Sequence, residues 1–366
     1  MATYQEAGVD ISTGDIASRI AYQEALKTFA SRAGMIGAPL ALEGGFSGAL
    51  DFGQFLMVMN CDGVGTKIDV ALETQNFTDL GDDLLAMTAD DAICVGAEVI
   101  AITNTVDTNR VNPTEIKAMM ESLSTACIRE KVVIPGGEIA ELGHTLSKTI
   151  WNSTAIGVVE KEKYITGADI APGDSVIALQ ENGFRANGFS LVRHILRENG
   201  VSFSDPYEQN LQKTWGEMLL TPAKIYHSAL LSILGRYGVP SVFPIKGIAH
   251  ITGGGLAGNF FRILKKKNLG AYLPDIFDMP EMMKAIQKMG NVSDREAYRT
   301  WNGGNGMLLV VNSEDAEKVV SLLKKSGVTA KVCGEITATP EIVHKNWGAE
   351  QREEMLKFTK EEGSKG

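Results

Sequence analysis

The chain has 366 residues, 44% of them hydrophobic, and carries 35 Lys and Arg against 45 Asp and Glu, a net charge of −10. That length exceeds one ordinary core and fits two domains. The acidic balance excludes nucleic acid or an anionic membrane as the main partner, because both select a basic face, and no run of about 18 apolar residues is present to span a bilayer.

The start, "MATYQEAGVDISTGD", is polar and acidic and lacks the pattern of a signal peptide. Ile16, Ile20 and Ala30 among polar neighbours predict a helix over 16–32. Apolar and β-branched runs predict strands over 55–61, 99–105, 132–134 and 150–159, with helices over 79–95 and 114–129 between them. Gly167 and the turn Pro172-Gly173-Asp174 mark a boundary before a strand at 175–179. The second half predicts helices over 187–198, 222–235, 255–267, 280–289 and 314–326, and strands over 307–311 and 330–336. Thr221-Pro222 reads as a cap and first-turn pair. The expectation is an α/β chain of two domains, 1–168 and 169–345, with a polar tail over 346–366. Four cysteines, Cys61, Cys94, Cys127 and Cys333, lie far apart without a CxxC pair, as in a reduced, cytoplasmic protein.

Asp79, Asp82, Asp83, Asp90 and Asp91 crowd the helix over 79–95. Leu80, Leu84 and Met87 form a stripe whose next position is Asp91. A carboxylate on a core-facing stripe needs a partner or a metal. Asp79 and Asp82 read as solvated first-turn carboxylates favoured by the helix dipole. Asp62 follows the strand at 55–61 and opens "DGVGTK". This is no Walker A loop, which needs G-x-x-x-x-G-K-[ST]. A leading Asp beside a Gly-Thr-Lys turn allows a metal–triphosphate site of another design, with Mg²⁺ held by oxygen ligands.

Further glycine loops are "LEGGFSGALDF", "PGGEIAEL", "HITGGGLAGNFF" and "WNGGNGM". Gly253-Gly254-Gly255 before a helix would offer backbone N–H groups to a phosphate. Glu138 and Glu141 fit either a helix first turn or a site. His194 and His227 read as structural, and His250 is the candidate functional histidine. Asn187 fits either a helix cap or a site.

Taken in order, "YQEAGVDI", "GGFSGALDF", "DGVGTK", Asp90-Asp91 followed by "GAE", "GGEIAE", "GVVEK", "PGDSVIAL", "NGFSLVR", "TPAKIY", "HITGGGL" and "GNVSDREAYRTWNGGNGM" resemble the aminoimidazole ribonucleotide synthetase family, the phosphoribosylformylglycinamidine cyclo-ligases, over residues 4–336. The resemblance implies a homodimer of two-domain subunits, with N-terminal domains building a β-barrel-like interface and each C-terminal domain an α/β sandwich. It implies ATP- and Mg²⁺-dependent closure of formylglycinamidine ribonucleotide to aminoimidazole ribonucleotide, a phosphorylated small-molecule chemistry of purine synthesis. By motif match, Lys67, Asp91 and His250 would be catalytic. Asp62, Gly63, Gly65, Thr66 and Lys67 would bind nucleotide. Asn187, Gly253 and Gly254 would bind substrate, and Asp62, Asp91 and Glu138 would hold metal.

Several positions depart from the family pattern. Arg185 stands where a His is usual, Asp90 where Asn is usual, and Asn104 where an acidic residue is usual. "GGEIAELGH" replaces "GGETAEMPG", and Asn302-Gly303-Gly304-Asn305-Gly306 replaces Asn-Cys-Gly-Val-Gly. The alternatives are another ATP enzyme of the superfamily, of the selenophosphate synthetase or thiamine monophosphate kinase type, or a binding protein without catalysis. "LEGGFSGALDF" lacks the reactive Cys and Lys that the selenophosphate type expects.

Overall fold

The computed structural model describes residues 11–40, 46–351 and 354–363. The "YQEAGVD" stretch and the Gly44-Gly45 pair lie outside the described residues.

Helix α1 spans Ile11–Lys27, and a short 3-10 turn at Phe29–Arg32 follows it. Strands β1 (Ala38–Leu40), β2 (Gly48–Asp51) and β3 (Phe55–Gly63) lead to α2 (Lys67–Thr74) and α3 (Leu80–Ile93). Then come β4 (Glu98–Thr108), α4 (Pro113–Glu130), β5 (Val133–Glu141) and β6 (Ile150–Glu160). These strands form one sheet in the order β1-β2-β3-β6-β4-β5, a half-barrel. β5 lies parallel to β4, as a connection through α4 requires. Register shifts near Val99 to Thr103 bend β4 against both neighbours.

The sheet is two-faced. Along β6, Trp151, Ser153, Ala155, Gly157 and Val159 are buried, alternating with half-buried residues. Leu80, Leu84, Leu85 and Ala89 of α3 belong to the same core as Val58 and Ala155. The Leu80–Leu84–Met87 stripe is buried as its period predicts.

The second half contains β7 (Ser175–Gln180), α5 (Phe189–Glu198), the hairpin β8 (Pro206–Tyr207) and β9 (Asn210–Thr214), α6 (Trp215–Leu219) and α7 (His227–Leu234). It continues through β10 (Gly247–His250), α8 (Gly255–Leu264), β11 (Gly270–Leu273), α9 (Glu281–Met289), α10 (Asp294–Thr300) and β12 (Asn305–Val311). α11 (Ala316–Lys325), β13 (Ala330–Thr337), β14 (Glu341–Lys345), β15 (Met355–Thr359) and α12 (Lys360–Gly363) close it. The second sheet runs β10-β12-β7-β13-β11-β14-β15. Strand β12, between β10 and β7, is buried throughout.

Four local expectations change. "PGGEIAE" is strand rather than loop: β5 continues through it and pairs with β4. Gly137 makes this possible, since a Cβ there would lie 2.7 Å from the Asn104 carbonyl. Residues 355–359, expected in a polar tail, form the edge strand β15 against β14. "WNGGNGM" is a packing loop, because Asn302 and Asn305 spend their amides on the Gly183, Gly303 and Phe277 carbonyls. Helix α7 begins at His227, not at 222, because side chains from elsewhere capture the N–H groups of the preceding segment.

That segment, residues 221–228, is the joint between the two halves. Asp83 accepts the Ala223 N–H at 3.0 Å, Glu181 that of Lys224 at 3.2 Å, Asp90 that of Tyr226 at 2.9 Å and Glu130 that of Ser228 at 3.0 Å. Three of these carboxylates, Asp83, Asp90 and Glu130, come from α3 and α4. A buried carboxylate is tolerated when it is hydrogen-bonded and paired. The acidic run on α3 is therefore in part adhesive between the halves.

Candidate active site

Asp62, one residue before the end of β3, lies on the helix-packed face of the half-barrel, opposite Ser153 of β6. Gly63 must be glycine here: a Cβ would lie 2.0 Å from the Asn152 Oδ1 and 2.7 Å from the Trp151 carbonyl. The chain then turns through Gly65, whose φ is +51°, into α2. A cavity of about 290 Å³ opens beside this turn, lined by Cys61, Asp62, Gly63, Thr103, Thr105, Asn152, Ser153 and Thr154.

Asp91 comes from the far end of the α3 stripe and meets His250 at the end of β10, with Oδ1 and Nδ1 2.7 Å apart. His250 is fully buried, while Asp91 keeps 19% of its side chain open. Burial pushes the Asp62 carboxyl up to about 7, against the Gly63 N–H it accepts, and the Asp91 charge adds to the rise. Burial likewise lifts Asp91 to about 7, opposed by the charges of Arg262 and Arg185. Burial and the same two guanidinium groups hold His250 well below the usual histidine range, so it is neutral. With Asp91 ionised, Nδ1–H donates to it and Nε2 is left as acceptor; Nε2 has no partner among the described residues.

A buried carboxylate whose proton affinity is raised by a second carboxylate nearby suits a cation. Carboxylate oxygen donors suit Mg²⁺, which keeps part of its shell for water and phosphate. Among the described residues no group of three or more His, Cys, Asp or Glu side chains is arranged to hold a metal. Glu138 does not join Asp62 and Asp91 within the subunit. It pairs with Thr105 on the edge strand, in the row of Asn152 and Gly63 rather than that of Ser153 and Asp62. Its side chain thus leaves the opposite face, and three strand spacings, about 14 Å, separate β5 from β3.

Lys67 is also placed differently from expectation. It is fully buried, with Nζ 2.7 Å from Asp83 Oδ2 and 2.8 Å from the Thr221 carbonyl. Its charge is spent inside the joint, not turned toward a phosphate. The cause is its position at the first turn of α2, where the side chain points back beneath the loop toward α3.

The other expected residues converge. Thr66 Oγ1 lies 3.4 Å from Ser190 Oγ, and a Cβ on Gly65 would lie 3.2 Å from the Ala186 carbonyl. Asn187 sits in that same loop, its Nδ2 3.7 Å from where a Cβ on Gly253 would lie. Gly254 and Gly255 both have positive φ at the start of α8, and Asn259 clamps the turn by donating to the Thr252, Gly253 and Gly255 carbonyls. The turns 62–66, 186–190 and 252–255 therefore meet in one place.

Sequence reasoning missed Arg262. Its guanidinium carbon lies 3.8 Å from the Phe46 ring centroid, and its charge acts on Asp91 and His250. The available signal was a single cation inside the apolar stretch "LAGNFFRIL".

Family models for "AIR synthase related protein" match residues 47–159 with the N-terminal domain and 171–345 with the C-terminal domain. The chain belongs to the AIR synthase related family. Within that family it is 35% identical over 344 residues to the phosphoribosylformylglycinamidine cyclo-ligase of Carboxydothermus hydrogenoformans, covering 92% of this chain and 96% of that one. It is 33% identical over 346 residues to the enzyme of the same name from Methanocaldococcus jannaschii, covering 93% and 94%. The same fold appears in a HypE–HypF complex, at TM-score 0.55, 17% identity and coverage of 82% and 90%. It appears also in Thermotoga maritima PurL complexed with ATP, at TM-score 0.55 and 14% identity. There the match covers 92% of this chain and 48% of PurL, so the AIR synthase related chain spans about half of PurL's length. No helix among the described residues is long and apolar enough to cross a membrane.

Proposed function

We propose that this chain is a cyclo-ligase that closes formylglycinamidine ribonucleotide to aminoimidazole ribonucleotide at the expense of ATP. The observation that carries this reading is the chain-long identity with cyclo-ligases, 35% over 344 residues, joined to a site where Asp62, Asp91 and His250 meet three glycine turns. The relatives' shared name weighs against the kinase and selenophosphate alternatives.

The reaction needs the formamide oxygen converted to a leaving group and then displaced by the amidine-side nitrogen. Phosphorylation by ATP does the first, and positioning with charge neutralisation dominates such transfers. Asp62 and Asp91 would hold Mg²⁺, which offsets charge on the moving phosphoryl group. The Gly63 and Gly65 turn and Thr66 would seat the nucleotide phosphates. Asn187 and the Gly253–Gly254 turn would seat the substrate's own phosphate at the start of α8. Neutral His250 is fully buried, so it would act by orienting Asp91. Lys67 takes no part in phosphate binding in this reading; it holds α2 against the joint.

The subunit is proposed to act as a homodimer. Met57, Met59, Ile156 and Val158 share the outer face of the half-barrel, half-buried to exposed, and two such faces would close a barrel. Glu138, on that outer side, would then stand at the joint between half-barrels. The test of function is the purified chain with ATP, Mg²⁺ and formylglycinamidine ribonucleotide. Equal yields of ADP and aminoimidazole ribonucleotide support the reading; folded protein that binds ATP and makes no product sinks it.

A further inference from the structure

Two residues singled out in the sequence, Arg185 and Asp90, face each other. Arg185 Nη2 donates to Asp90 Oδ2 at 2.7 Å. Both side chains are fully buried. The other guanidinium nitrogen, Nη1, donates to Glu181 Oε2 at 2.8 Å and to the Lys224 carbonyl at 2.9 Å. Arg185 also has φ +57°, a left-handed conformation that side chains avoid unless their surroundings hold them.

The residues that follow Arg185 are the substrate-side turn. The Ala186 carbonyl lies against Gly65, Asn187 faces Gly253, and the Ser190 hydroxyl meets Thr66. On the other side of the bond, Asp90 immediately precedes Asp91, which holds His250. The ion pair thus ties the turn bearing Asn187 directly to the helix bearing Asp91. It is sealed from solvent, so it touches no ligand.

We propose that Arg185 is a positioning residue: through Asp90 it fixes the 186–190 turn against α3, and so sets the distance between the substrate-phosphate and nucleotide halves of the site. The inference deepens the cyclo-ligase reading and rests on it for the identity of the substrate. A site held this way is sensitive to small displacements, since misplacement by about 1 Å can cost ~100-fold in rate.

The test is a double-mutant cycle with R185H, D90N and R185H/D90N, and R185K as the conservative variant. Amide hydrogen exchange over residues 184–190 and steady-state kinetics with formylglycinamidine ribonucleotide are both read. Each single change is expected to speed exchange in the turn and raise KM by about tenfold, with the double variant recovering part of both, since Glu181 still lacks its ion-pair partner. R185K, which keeps the charge and loses the fork, falls between. Single variants with lower Tm but unchanged turn exchange and KM would overturn the proposal, as would strictly additive effects in the double variant. If R185H does not fold, R185K and D90N decide the same question. If the unaltered chain forms no product, the cyclo-ligase reading fails separately, and the exchange cycle still tests the coupling.

Discussion

Replacing Lys67 by Met separates an internal lysine from a phosphate-binding one. Lys67 and Asp83 are both fully buried, 2.7 Å apart, and Lys67 also donates to the Thr221 carbonyl across the joint. Among the described residues, removing the cation leaves Asp83 with only the Ala223 N–H. Breaking one side of a buried pair costs about 3–5 kcal/mol. At about 2–4 °C per kcal/mol for units of this size, Tm should fall by about 6–20 °C. The loss has a defined pH dependence. Burial, opposed by Lys67, already raises Asp83 from 3.8 to about 6, and without Lys67 it rises further. A carboxyl raised in the folded state contributes stability that is complete below its unfolded value and is lost as pH climbs through the folded value. The K67M deficit is therefore smaller at pH 5 than at pH 8, and K67M/D83N recovers most of it. Thermal unfolding at both pH values, with ATP–Mg²⁺ titration of the folded variant, is the assay. A K67M protein with unchanged Tm and no nucleotide affinity would refute this placement of Lys67.

Asp91→Asn should lower activity by orders of magnitude and weaken the Mg²⁺ dependence of ATP binding; full activity would remove Asp91 from the site. Asp62 and Asp91 both titrate near 7, above their ordinary 3.8, so the metal-free protein loses their contribution as pH rises through 7. Mg²⁺ competes with those protons, so its stabilising increment in Tm should be larger at pH 8 than at pH 6. Gly63→Ala drives a methyl to 2.0 Å from Asn152 and 2.7 Å from the Trp151 carbonyl, so nucleotide affinity should fall even where the protein remains folded, as calorimetry would show. Met59→Asp on the outer face of the half-barrel should shift sedimentation from dimer to monomer.

The parts of the fold legible in the sequence were those set by local periodicity. Leu80, Leu84 and Met87 define the α3 stripe, and the same stripe singles out Asp91, which the structure brings to His250. Asp62 was legible from its place after an apolar strand and before a glycine turn. What was not legible depends on residues distant along the chain. Lys67 reads as a phosphate ligand until Asp83 and Thr221 are seen to enclose it. Residues 222–226 have a helical start signal, yet their N–H groups are taken by Asp83, Glu181 and Asp90. The glycines of "PGGEIAE" suggest a loop, but they let β5 lie close to β4. Arg185 and Asp90 read as two separate departures, and only the fold shows that they are partners.

In the proposed reaction the formamide oxygen is activated by phosphorylation before the ring closes. Substrate carrying ¹⁸O in its formyl group tests this directly when the phosphate released during turnover is analysed by mass spectrometry. The label is expected in inorganic phosphate, one atom for each aminoimidazole ribonucleotide formed. Label released into water, with unlabelled phosphate, would contradict it.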